Sequence, residues 1–180
     1  MRKVVYSVAM SLDGYVAGPN GEADWISIDP EDDPGFDFAA WIARFDTVLI
    51  GRKTYEQFRA MGGGQAMPGV ASIVASRTLR PEDCPGATVI GDGLTDRVRE
   101  LRAGSGKDIW LFGGGVLFRS LLDAGLVDEV CVAVIPVLLG GGVPLLAAGD
   151  RAKLRLTGHT VHKSGVVALE YAVEADRAKG

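Results

Sequence analysis

The chain has 180 residues, 47% hydrophobic and 23% charged, a balance that fits one globular domain with a sizeable core. Its formal net charge is −4 and it has no basic tail, which argues against a nucleic-acid partner. Cys84 and Cys131 lack a CxxC spacing, and His159 and His162 lie outside any thiol or carboxylate cluster, so neither a disulfide nor a metal site is expected.

The start, MRKVVYSVAM, imitates a secretion signal only in outline. Its apolar run is short, and Asp13-Gly14 stand where a cleavage site would lie. The longest apolar run, residues 130–139, is half a membrane span. A cytoplasmic protein is expected.

Residues 4–10, rich in Val, predict a first strand. SLDG (11–14) predicts a turn, and Tyr15-Val16-Ala17 resume an extended path. Residues 18–35 form a long loop with three prolines, a length that usually signals function. Trp25 stands within it as a core cap or a pocket wall. Phe38, Trp41, Ile42 and Phe45 recur at i, i+3, i+4 and i+7, which predicts an amphipathic helix over 38–45. Asp37 sits at its start, as an N-cap or as a functional carboxylate.

Residues 47–50 predict a buried strand that ends in Gly51-Arg52-Lys53-Thr54 and opens a helix over 55–59. Two cations at a helix start oppose its dipole, unless an anion lies between them and the first-turn N–H groups. Residues 61–69 predict a flexible loop. Strand 72–75 ends at Ser76-Arg77-Thr78, and the short strand 88–90 runs into Gly91-Asp92-Gly93. Leu94, Val98 and Leu101 mark a helix, with Thr95 as the expected cap.

Residues 108–122, DIWLFGGGVLFRSLL, organise the rest. A buried strand, Ile109 to Phe112, meets Gly113, Gly114 and Gly115, after which Leu117, Leu121 and Leu122 take a helical spacing, with Gly125 as the C-terminal stop. Glycines at such a corner permit a sharp turn and close approach of a ligand. The free N–H groups of the helix start then favour an anion, most often phosphate. A plain tight corner is the competing reading. Residues 129–137 predict a strand broken by Pro136, and 154–162 with 166–173 predict a C-terminal hairpin. The sum is an α/β domain spanning 1–180, with eight strands in a mixed, mainly parallel sheet and an antiparallel finish.

In an open α/β sheet, ligands bind at the carboxyl ends of the strands. Three polar corners, 51–54, 76–78 and 113–115, all fall there. One ligand with separated phosphates answers all of them. A dinucleotide with a 2′-phosphate fits, its pyrophosphate at the glycines and its extra phosphate near Arg52 or Arg77.

Five segments carry a resemblance: VAMSLDGYVA (8–17), DTVLIGRKTYE (46–56), IVASRTL (73–79), IWLFGGGVLFRSLL (109–122) and PVLLGGGVPLL (136–146). In this order the chain resembles reductases of the dihydrofolate reductase fold, most closely the reductase half of the bifunctional riboflavin-biosynthesis deaminase-reductase. The resemblance implies NADPH as cofactor. It places Gly51, Arg52, Thr54, Ser76 and Arg77 around the adenosine ribose and its phosphate, and Lys53 and Gly91 are expected among the cofactor-binding residues. It sets Gly113, Gly114, Gly115, Val116, Leu117 and Phe118 beneath the pyrophosphate, and Ala9, Val16 and Ala17 by the nicotinamide. It turns Asp13 toward the reacting centre, and it implies a homodimer formed partly through the C-terminal strands. The deaminase zinc motif is not found in these residues, so only a reductase is expected.

The expected reaction is hydride transfer from NADPH to a C=N or C=O carbon of a small polar substrate, as with 5-amino-6-(5-phosphoribosylamino)uracil. Asp13 is the first candidate proton donor and Asp37 the second, and Trp25 and Trp41 would wall the substrate from water. The alternatives are a dihydrofolate reductase proper, a non-catalytic NADP-binding or drug-sequestering module, and a flavin- or mononucleotide-binding protein.

Overall fold

A computed structural model of the chain describes residues 1–26, 37–60, 62 and 69–174. The eight-stranded sheet has the order β5-β4-β3-β6-β1-β7-β10-β9. Its members are β1 (Val4–Ser11), β3 (Phe45–Gly51), β4 (Ala71–Ala75), β5 (Ala87–Ile90), β6 (Asp108–Gly113), β7 (Glu129–Ile135), β9 (Leu154–Val161) and β10 (Val167–Val173). Strands β5 to β7 in that order run parallel, and β10 turns back antiparallel to both β7 and β9. The predicted fold class is therefore observed. A separate antiparallel pair joins β2 (Tyr15–Ala17) to β8 (Val143–Pro144).

Alternation along the strands sends apolar side chains to both faces, as a parallel sheet covered on both sides requires. On one face Val4, Tyr6, Leu49, Ile109 and Leu111 pack with Val98 of α3 (Leu94–Ala103) and with Leu117, Phe118 and Leu121 of α4 (Gly115–Asp123). On the other, Val5, Val48, Trp110 and Cys131 pack with Trp41 and Ile42 of α1 (Phe38–Ile42), while Ile50 and Val74 meet Tyr55 of α2 (Arg52–Ala60). Cys84 and Cys131 are both free and buried, and burial pushes the Cys131 thiol up to about 12.

Two expectations are corrected. The helix predicted over 38–45 ends at Ile42, and Phe45 begins β3. Its ring packs between Trp110 of β6 and Trp41 of α1, and i+7 spacing cannot distinguish a second helical turn from the next strand. The cap of α3 is Gly93, in a left-handed conformation, and Thr95 lies inside the helix. Residues 27–35 of the predicted long loop, and most of 61–69, lie outside the described residues.

The amino ends of the strands are closed by ion pairs. Arg2, buried, pairs with Asp46 and donates to Thr47 Oγ1 at 2.7 Å. Arg44 bridges Asp108 at 2.9 Å and Glu129 at 2.5 Å, Lys3 reaches Glu129 at 2.6 Å, and Arg102 reaches Asp128 at 2.6 Å. These cations are thus answered by carboxylates at the starts of other strands.

Candidate functional site

The carboxyl rim differs. The corners that follow β4, β3 and β6 come from three consecutive strands of the sheet, so residues far apart in sequence stand in a row. Register puts Gly51 beside Ala75, and Ile50 beside Gly113.

The β3 and β6 corners are in direct contact. A Cβ on Gly51 would stand 3.3 Å from Gly114 N, and one on Gly114 would stand 3.0 Å from Thr54 Oγ1. The Gly113–Gly114 peptide is cis, and Gly113 has φ +144°. Gly114 is the N-cap of α4, with an extended backbone and no side-chain cap. No acidic residue occupies the first turn. The N–H groups of Gly115, Val116 and Leu117 therefore stand at the positive end of the dipole. Val116 is 78% exposed, whereas Leu117 and Phe118 are core residues, with Phe118 stacked on Tyr6 at 3.8 Å. Gly115 is shielded by Pro144 O and Leu145 O, 3.1 and 3.2 Å from a Cβ there.

The rim cations have partners that the corner pattern alone did not predict. Arg52 donates to Glu56 at 3.2 Å, one helical turn on, and Arg77 Nε donates to Asp92 Oδ1 at 3.0 Å. Both pairs are exposed, and such pairs hold by about 0–1 kcal/mol, so an incoming phosphate can displace them. Lys53 is exposed beside Arg52. Ser76 is buried, and its Oγ accepts from Thr78 N at 3.2 Å and Leu79 N at 2.9 Å. It shapes the corner that presents Arg77. Gly91 lies against this corner, a Cβ there standing 3.4 Å from Ser76 O.

On the other side of β6, β1 carries the second part of the site. Ala9 lies in β1 opposite Ala133 of β7, and Val16 and Ala17 lie in β2, all half-buried. Asp13 fastens the turn between β1 and β2 to the chain after β7. It accepts from Ser11 Oγ at 2.7 Å, from Gly140 N at 2.7 Å and from Leu139 N at 3.1 Å. These donors, Ser11 foremost, hold the Asp13 carboxyl below its ordinary 3.8. Ser11 is fully buried, and its Oγ also accepts from Tyr15 N at 3.0 Å, a role its place in a polar turn did not signal.

Asp37 is exposed and caps α1, accepting from Ala40 N at 2.9 Å. Trp41 is half-buried, its ring 5.3 Å from Phe45 and 5.6 Å from the Arg44 guanidinium carbon. Trp25 is half-buried in the 18–26 loop and donates to Glu22 O at 3.1 Å. That loop is tied to α2 by Gln57, which donates to Gly21 O at 2.6 Å. Along the α1–α2 face, Phe58, Phe112, Trp110, Phe45 and Trp41 form a continuous row of ring contacts between 4.9 and 6.0 Å. Among the described residues no group of three or more metal-ligating side chains converges, and no helix is long and apolar enough to cross a membrane.

The family model of the RibD C-terminal domain matches residues 2–168. The uncharacterized protein YyaP of Bacillus subtilis is 33% identical, over 94% of this chain and 94% of its own length. A solved structure from Shewanella sp. PV-4, assigned to riboflavin biosynthesis, superposes with a TM-score of 0.81 at 26% identity, covering 96% of this chain and 99% of that one. Dihydrofolate reductase from Enterococcus faecalis, solved as a complex with NADP(H), superposes with a TM-score of 0.69 at 16% identity, over 96% of this chain and 97% of that one, a likeness of fold.

Proposed function

Because the chain belongs to the RibD C-terminal domain family, we propose that it is an NADPH-dependent reductase of a small polar substrate with a C=N or C=O carbon, of the ribosylaminopyrimidine type. The observation that carries this reading is the row of adjacent corners after β4, β3 and β6, offering uncapped helix N–H groups and weakly paired arginines, while the opposite rim is neutralised within the fold.

The residues fit the cofactor. The glycine corner at Gly113 and Gly114 leaves a surface that a Cβ would crowd, and there the first-turn N–H groups of α4 would hold the pyrophosphate. Arg52, Lys53, Arg77 and the corner at Ser76 would hold the adenosine ribose and its phosphate. Ala9, Val16 and Ala17, small or short side chains, would border the nicotinamide. When bound, NADPH supplies the hydride; the protein supplies orientation and electrostatics.

Reduction also takes up a proton, which a carboxyl group delivers directly or through water. Asp13 is held charged by Ser11 and two backbone N–H groups, so in this reading it positions the nicotinamide side of the site. Asp37, exposed at the start of α1, is the second carboxyl group that could serve the reaction. Trp25 and Trp41 wall the substrate from water. Steady-state NADPH oxidation with the ribosylaminopyrimidine and with dihydrofolate tests the reading. Turnover of the first at least about a hundredfold more efficient than the second, a gap of roughly 2.7 kcal/mol, supports it; turnover of neither contradicts it.

A homodimer through the C-terminal hairpin belongs to the same proposal. Strand β9 is the sheet edge, and Leu154, Leu156 and Val161 are 43%, 50% and 69% exposed on the side they share with Tyr171 and Val167 of β10. An uncovered apolar edge of this kind calls for a partner surface, and a second copy of the same hairpin is self-complementary to it.

A further inference from the structure

The ends of β4 and β5 are locked together. Ser76 N donates to Ile90 O at 2.9 Å, and a Cβ on Gly91 would stand 3.6 Å from Arg77 Cα. The backbones bearing Arg77 and Asp92 are thus fixed at close approach, and their side chains meet at 3.0 Å. With side chains 79% and 88% exposed, the pair adds little to the fold. Asp92 does not cap α3 either, since its neighbour Gly93 does so without a side chain.

An acidic side chain at the ribose accepts from a free 2′-hydroxyl, whereas an arginine fork accommodates a 2′-phosphate. Here both stand side by side. We propose that Asp92 sets the cofactor preference of this rim: it competes with the 2′-phosphate for Arg77 and supplies an acceptor for an unphosphorylated ribose, so that NADPH is favoured over NADH only weakly. This inference rests on the NADPH reading above. The like charge of a carboxylate beside a phosphate weakens phosphate binding, and its removal frees the guanidinium. Glu56 does not share the role, because it lies one turn along the same helix as Arg52 and forms an ordinary i,i+4 pair.

The test is calorimetric titration of NADPH and NADH into the wild-type protein and into Asp92→Asn and Arg77→Gln. The wild type is expected to bind NADPH less than about tenfold more tightly than NADH. Asp92→Asn is expected to tighten NADPH by about three- to tenfold while leaving NADH unchanged or weaker. Arg77→Gln is expected to weaken NADPH by about tenfold or more and to leave NADH within about twofold. Equal shifts for both cofactors in Asp92→Asn, or no shift for either, overturn the inference while leaving the NADPH reading intact. A wild type that binds neither cofactor overturns both.

Discussion

Thr54 Oγ1 lies 3.0 Å from the point that a Cβ on Gly114 would occupy. The first turn of α2 thereby closes down on the glycine corner that opens α4. Gly114 has φ −97°, which any residue adopts, so Gly114→Ala asks only that Thr54 shift by a few tenths of an ångström. The expected stability loss is about 1 kcal/mol or less. The added methyl also fills the approach to the first-turn N–H groups, and NADPH is expected to bind at least about tenfold more weakly. Thermal melting and calorimetry separate the two effects; a variant that binds NADPH as the wild type does removes this corner from the cofactor site.

Asp13 holds a loop after β7 through two backbone N–H groups. Asp13→Asn removes the charge and offers one acceptor where two were used. Amide hydrogen exchange at Leu139 and Gly140 is expected to quicken, and turnover to fall. Adenosine 2′,5′-bisphosphate, which lacks the nicotinamide, is expected to bind unchanged. The folded-state pKa of Asp13 is lowered from 3.8, so the clasp is complete above that value and fails as pH drops through the depressed one. Its titration therefore leaves no mark on a rate profile between about pH 5 and 8. Unaltered exchange at both amides counts against the clasp.

Glu129 lies where three charged side chains meet at the amino rim. Burial raises its pKa, but hydrogen bonds and charge from Lys3 and Arg44 outweigh this, and the net shift is downward from 4.5. A depressed carboxylate stabilises the fold above its unfolded pKa and ceases to do so as pH falls through the folded value. Stability is thus expected to be level above about pH 5.5 and to decline below 4.5, and Glu129→Gln is expected to flatten part of that decline. Denaturant melts at pH 3.5, 4.5 and 7 check it; parallel pH curves for the two proteins contradict it.

The corners at Gly51, Ser76 and Gly113 were legible because each is a local pattern, an apolar run that ends in glycine or hydroxyl residues. Their adjacency was not, since the order β4-β3-β6 is a matter of pairing between distant segments. The same distinction separates the two rim carboxylates: Glu56 could be read from its i,i+4 spacing to Arg52, whereas Asp92 meets Arg77 only through the β4–β5 pairing. Asp37 could be read as an N-cap from its place before an apolar spacing, and it is one. The extent of the helix that follows could not be read, because Phe45 satisfies the helical period while belonging to β3.

The exposed row on β9 predicts an assembly. Leu156 is 50% exposed beside Tyr171, and Leu156→Asp places a charge in the proposed dimer interface. Sedimentation is expected to show a dimer for the wild type and a monomer for the variant at micromolar concentration, with the monomer still folded by circular dichroism. Identical sedimentation of the two proteins removes this face from the interface.

The central claim, that one phosphate-bearing cofactor spans the corners after β4, β3 and β6, is tested most directly by calorimetric titration of NADPH into the purified protein. Saturable binding of one NADPH per chain with a Kd of about 100 μM or tighter, competed by adenosine 2′,5′-bisphosphate, is the predicted result. No saturable heat at about millimolar NADPH would contradict it.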